Sequence, residues 1–245
     1  MTAQKIQKYL RRFASKEKAK LLQGFFKTGP GQYGEGDKFL GVMVPNIRQT
    51  VKEFADAPLA EVQKLLRSSF HEDRVLALLL LVHKSEKGDD AMRKRTYTIY
   101  LKSTKYINNW DLVDLSAPKI VGIYLDRGSR SQLYRFVRSK NLWERRIAIL
   151  ATFPYIRKGD FVDALALSET LLADDHDLMH KAVGWMLREV GKKDVAVLEA
   201  FIRKHYSRMP RTALRYAIER FPEAKRQKYL KNKIKMTFNA EKAMK

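Results

Sequence analysis

The chain has 245 residues, 45% of them hydrophobic, which suits a globular protein with room for one large core or two small ones. Its 49 Lys and Arg stand against 27 Asp and Glu, and a formal net charge of +22 calls for a polyanionic partner: nucleic acid first, then an acidic membrane surface, against a merely solubilising surface. The absence of cysteine excludes disulfides and thiolate metal sites. The longest apolar run, residues 75–82, is too short to span a bilayer, and MTAQKIQKYLRRF at the N-terminus lacks the apolar core of a secretory signal, so a cytoplasmic, DNA-associated location is expected.

Apolar spacing is helical almost everywhere, and no period-two alternation is sustained. Residues 28–41 (TGPGQYGEGDKFLG) hold five glycines and one proline and read as the longest irregular segment. The run DRVLALLLLVH (73–83) is apolar nearly all round, which predicts a helix wrapped on several sides. A helix opens at Trp110. Another covers 142–156, where Ile147, Leu150, Ala151 and Pro154 keep a three-four spacing. Further helices run through Lys181 and through SRMPRTALRYAIERF (207–221). Boundaries are read at Pro58, 68–69, 87–89, 126–131, 159–160, 174–175, 191–193 and 209–210. The short connections predict antiparallel neighbours.

A repeat shows through these helices. HEDRVLALLLLVHK (71–84) and WERRIAILATFPYI (143–156) each lead from a charged start into an apolar helix, with Arg74 and Arg146 in register 72 residues apart, two units of 36. One unit after Arg74 lies Trp110; a step of 35 after Arg146 lands on Lys181. Periods of this length, with two helices each, predict an all-α helical-repeat solenoid formed as a single domain over 1–245, with a concave face for DNA. Residues 225–245, with eight Lys and Arg and one Glu, form a basic tail that either extends the DNA footprint or ends as a solvated helix.

Equivalent positions of a solenoid line up on one surface, so Trp110 and Arg146 share a register, and Asp114 and Trp185, one helical turn on, share the next. A tryptophan in a helical repeat is often core. Two of them flanking a carboxylate and an arginine are a more specific set, because indole faces and a carboxylate attract cations and an arginine is a natural phosphate ligand.

The segments INNWDLVDLSAP (107–118), LWERRIAIL (142–150) and HKAVGWMLREVGKKD (180–194) resemble those of the AlkD-type DNA alkylation repair family, over about residues 20–225. The resemblance implies a HEAT-like-repeat DNA glycosylase acting on 3- and 7-alkylated purines in duplex DNA. It implies Asp114 as the catalytic aspartate, Trp110 and Trp185 as lesion-side tryptophans and Arg146 as a backbone-contacting arginine. An aromatic position of the family's N-terminal helices falls near Phe25, which lacks the hydroxyl of the tyrosine often found there. A purine alkylated at N3 or N7 is already cationic and leaves without further protonation. The registers of Trp110 and Asp114 contain no second acidic group or histidine able to protonate a neutral base, so lesions are expected to be selected by their positive charge. The expected partner is double-stranded DNA containing alkylated bases, met by a monomer with no cofactor and no metal. The rival reading is a non-catalytic helical-repeat scaffold or DNA-binding protein; a repeat-coded RNA binder is weaker, because the registers hold unmatched residues.

Two motifs fail on context. GPGQYG (29–34) fits G-x-G-x-x-G, but no strand precedes it. HDLMH (176–180) imitates a zinc helix without a third ligand, and its histidines read as solvated or capping.

Overall fold

The computed structural model describes residues 1–231, so the C-terminal part of the expected basic tail, 232–245, lies outside the described residues. Among the described residues the secondary structure is helical, apart from one isolated bridge between Lys38 and Phe70. The chain divides into two compact units, residues 1–154 and 155 onward.

In the first unit, α1 (Ala3–Leu10) and α2 (Lys16–Phe25) begin at Thr2 and Ser15, whose hydroxyls accept from the backbone amides of Lys5 and Lys18. There follow α3 (Val44–Glu53), α4 (Leu59–Leu66), α5 (His71–Lys87) and α6 (Asp90–Lys102). Next, α7 (Trp110–Ala117) starts on its Asn109 cap and continues through a π-turn at Pro118–Gly122 into α8 (Ile123–Leu125). Pro118 has no amide to donate, so the ordinary ladder yields there to wider turns. The unit closes with α9 (Ser131–Phe136) and α10 (Leu142–Leu150). The predicted single helix over 142–156 is interrupted: α10 stops at Leu150 and α11 (Phe153–Arg157) starts beside Pro154, which cannot sit inside a continuing helix. The all-round apolar helix is α5, with Val75, Leu76, Ala77, Leu78, Leu80, Leu81 and Val82 buried against α3, α4, α6 and α7.

The repeat is present, one residue out of the expected register. Ser68 Oγ donates to Asp73 Oδ2 at 2.7 Å, and Arg74 Nη1 to the Ser68 carbonyl at 3.0 Å. The same pattern recurs 71 residues later: Ser139 Oγ donates to Glu144 Oε2 at 2.6 Å, and Arg145 Nη1 to the Ser139 carbonyl at 3.0 Å. The counterpart of Arg74 in this helix-start motif is therefore Arg145, and Arg146 is the next residue in.

The second unit contains α12 (Val162–Leu171), α13 (Asp177–Lys193), α14 (Val195–His205), α15 (Arg211–Ala217) and α16 (Glu223–Leu230). At Gly184 α13 and α15 touch backbone to backbone: a Cβ there would lie 2.5 Å from the Ala213 carbonyl oxygen. The histidines of HDLMH cap and brace α13. His176 Nδ1 accepts from the amide of Leu178, and His180 Nε2 bonds the Asp174 carbonyl.

The loop 26–43 is irregular, as its glycines predict, and is tied down by the first turn of α5. The buried Glu72 accepts from the amides of Leu40, Gly41 and Val42 at 2.9, 2.8 and 3.2 Å. Gly41 has φ 79°, and a Cβ there would meet the Ser15 carbonyl at 2.0 Å, so only glycine lets the chain turn back against α2.

Candidate functional site

The first unit holds an apolar cleft of about 340 Å³ between α2, the loop, α5 and α7, with Phe26, Phe39, Val75, Trp110, Asp111 and Asp114 among its walls. Trp110, the first residue of α7, is half-buried there. Its ring stacks on Phe26 at 5.3 Å between centroids and meets the edge of Phe25 at 5.9 Å. Phe25 is 63% exposed, which leaves its outer face open to a ligand. A tyrosine hydroxyl does meet Trp110, from the loop and not from α2: Trp110 Nε1 donates to Tyr33 Oη at 3.3 Å. Four aromatic rings are thus grouped where the sequence pointed to two.

Asp114 stands one turn beyond Trp110, also on the cleft wall. Arg146 grips it bidentately, Nε on Oδ1 and Nη2 on Oδ2, both at 2.8 Å. Burial pushes the Asp114 carboxyl above its ordinary range; Arg146 pulls it down, and the nearby Asp111 adds to the push. Arg146 itself is only 4% exposed. The guanidinium read from sequence as a phosphate ligand is in this structure an inward-facing partner of the carboxylate. Arg74, the mate of Arg146 in the expected register, is likewise buried and paired with an aspartate, Asp37. Trp185 belongs to the second unit, on α13, where its indole N–H donates to Glu189 Oε1 at 3.2 Å.

The cleft also contains groups that register counting missed. Asp111 lies three residues before Asp114 and so on the same face of α7. His71, from the first turn of α5, lies between two carboxylates, Nδ1 at 3.1 Å from Asp37 and Nε2 at 2.8 Å from Asp111. Asp37 accepts in turn from Arg74 at 2.6 Å and from Asn108 at 3.1 Å. Burial alone would strip His71 of its proton, but the hydrogen bonds to Asp111 and Asp37 outweigh it and its pKa is pushed up to about 9. Burial would likewise raise Asp37; the bond from His71 and the charge of Arg74 bring it below its ordinary value instead. The registers of Trp110 and Asp114 were expected to hold no second acidic group or histidine, and the cleft contains both, Asp111 and His71. The solenoid registers follow one stripe of helix positions, and these residues arrive from a loop and from a helix start. Both nitrogens of the imidazolium face carboxylates, so it does not enter the cleft as a free acid.

The model of a family described as DNA alkylation repair enzyme matches residues 6–221. The chain belongs to that family. Among solved structures it is similar to the "Predicted DNA alkylation repair enzyme from Enterococcus faecalis", at 16% identity over 86% of this chain and 97% of that one, with a TM-score of 0.68. At that identity the likeness is one of fold, and it agrees with the helical-repeat architecture. No curated protein matches the chain. Membership gives this family member a role in the repair of alkylation damage and makes DNA its partner. Among the described residues no helix is long and apolar enough to cross a membrane, and no group of three or more His, Asp or Glu is arranged to hold a metal.

Two outcomes follow for this family member. Arg146→Ala leaves a largely buried carboxylate without its clamp. It is expected to cost on the order of 2 kcal/mol of stability in urea unfolding, below the ~3–5 kcal/mol of a fully buried pair because Asp114 keeps an edge in solvent. The salt dependence of DNA binding should be unchanged; a slope lowered by one contact would return Arg146 to the phosphates. The second outcome concerns His71, whose folded pKa is raised. Its contribution to stability is fully present below the unfolded value near 6.5 and is lost as pH rises through about 9. Thermal melts between pH 6.5 and 9.5 should show a falling Tm that His71→Gln flattens.

Proposed function

We propose that the protein is a DNA glycosylase that excises cationic N3- and N7-alkylated purines, such as 3-methyladenine and 7-methylguanine, from duplex DNA, opening base excision repair as a monomer without a cofactor. The observation that carries the reading is the cleft in which Trp110 and Asp114 border one apolar space. The alkylated base is positively charged at the start. As the glycosidic bond breaks, the base takes the bonding pair and becomes neutral, and the positive charge passes to the deoxyribose. Water then adds to the sugar carbon and gives up a proton. The indole of Trp110 favours a cationic lesion by about 0.5–2 kcal/mol. A carboxylate held in place by Arg146 favours the sugar cation and orients the water. Phe25, in edge contact with Trp110 and open outward, extends the aromatic wall. Trp185 enters this reading through the family resemblance alone.

The test is incubation with duplex DNA carrying a single 7-methylguanine, followed by strand cleavage at abasic sites. A second reading, a non-catalytic DNA-binding repeat protein, draws on the bidentate Arg146 clamp, which by itself gives Asp114 a structural occupation. Tight duplex binding with no abasic product from 7-methylguanine or 3-methyladenine would select it.

A further inference from the structure

We infer that His71 is a positioning residue of the lesion site: its imidazolium pins Asp111 beside Asp114 and lets two carboxylates share one wall of the cleft. The inference rests on the glycosylase reading for its purpose, and on the following geometry for its substance.

Asp111 and Asp114 line the same cleft from the same face of α7, with 16% and 18% of their side chains exposed. Two carboxylates this close do not both stay ionised in an apolar setting unless cations offset them. Asp114 has Arg146. The ion pair of Asp111 is with His71, while its other oxygen accepts from the amide of Leu112 at 2.8 Å.

The histidine cannot swing away. It is 2% exposed, its ring stacks on Phe39 at 4.6 Å and lies against Phe26 at 4.9 Å, and its second nitrogen is held by Asp37. The charged groups facing it are Asp37 from the loop, Asp111 from α7 and Arg74 from its own helix; Glu72 next to it is taken up by loop amides. The two aspartates face His71 and Arg74 in one cluster, and Asp111 is its member on the cleft wall. A hydrophobic residue at position 71 would fill the same space between the phenyl rings. The histidine is there for its charge and its two donors. Functionally, the sugar cation that forms on bond cleavage meets two carboxylates on one wall, and each can offset part of its charge.

The experiment measures single-turnover excision of 7-methylguanine across pH 5–10 for wild type, Asp111→Asn, His71→Gln and the double variant, each first shown to be folded. Asp111→Asn should slow excision about tenfold at neutral pH without weakening undamaged-duplex binding. His71→Gln should slow it similarly and move the acid limb of the pH profile up by about one unit, because loss of a nearby cation disfavours the charged form of the carboxylates on this wall. The wild-type decline near pH 9, where His71 loses its proton, should be missing from His71→Gln. The double variant should be no slower than the worse single one, since the two residues act as a unit.

Wild-type rates in folded Asp111→Asn overturn the inference, as does an unmoved acid limb in folded His71→Gln. Should His71→Gln fail to fold, Asp111→Asn decides alone. Binding separates the inference from the glycosylase reading. Wild type should prefer a duplex with a cationic pyrrolidine in place of one deoxyribose over one with neutral tetrahydrofuran, and Asp111→Asn should reduce that preference several-fold. A protein that excises nothing yet keeps this Asp111-dependent preference fails the glycosylase reading alone; a preference indifferent to Asp111 fails the inference.

Discussion

Affinity for undamaged duplex DNA is expected to fall about 10³–10⁵-fold between 50 and 200 mM salt, if 6–10 phosphates are contacted. The expectation starts from the net charge of +22. Charge of that size, met by a polyanion, is read out as release of condensed counterions, and each phosphate neutralised adds nearly one to the slope of log affinity against log salt. The structure narrows which cations can contribute. Arg74 and Arg146 are buried and each is committed to an aspartate, so the footprint has to come from the exposed lysines and arginines. Fluorescence anisotropy with a labelled duplex across the salt range gives the slope directly. Truncation after Lys231 removes Lys233, Lys235, Lys242 and Lys245 with Glu241, and any fall in the slope measures the part played by the tail. A flat salt response would contradict a DNA-binding role for the charge.

The fold was legible because its signals are local. Pro58, Asp89, Asn109 and Pro210 stand at helix starts where sequence places them, and the glycines of 28–41 mark the one long irregular segment. Trp110 and Asp114 were legible for a similar reason, since a spacing of four on a helix fixes a shared face. The partner of Arg146 was not legible, because register counting places an arginine without showing what it grips: Arg74, its mate in the expected register, and Arg146 are both buried against an aspartate from another element. Residues 71–74, HEDR, looked like the charged opening of a helix. All four are buried, and each has partners 30 or more residues away: Asp111 for His71, the loop amides for Glu72, Gln7 and Arg11 for Asp73, Asp37 for Arg74. Pairings of this kind leave no periodic trace in the sequence. The one available clue was composition: four consecutive ionisable residues in the first turn of a helix that is apolar nearly all round are themselves brought into the core.

Asp114→Asn is expected to slow excision by about 10²–10³-fold, the loss of roughly 3–4 kcal/mol of transition-state stabilisation. The substitution keeps the shape and the acceptor oxygen toward Arg146 but removes the charge that faces the sugar cation. Affinity for DNA should hold or rise slightly, since one negative charge has left a surface that meets phosphates. The pH dependence separates this role from a structural one. Burial raises the Asp114 carboxyl, so its ionised form, and the excision that needs it, is lost as pH falls through that raised value, ahead of an ordinary aspartate. Wild type should therefore show an acid limb whose larger part is assignable to this carboxylate, and the residual activity of Asp114→Asn should lack that part. Stability will also change, because Arg146 loses its charged partner and keeps only a neutral one, so rates have to be compared per folded molecule, with urea unfolding recorded alongside. A folded Asp114→Asn protein that is less stable but excises 7-methylguanine at the wild-type rate would make Asp114 a structural clamp for Arg146 and leave Asp111 as the carboxylate to pursue.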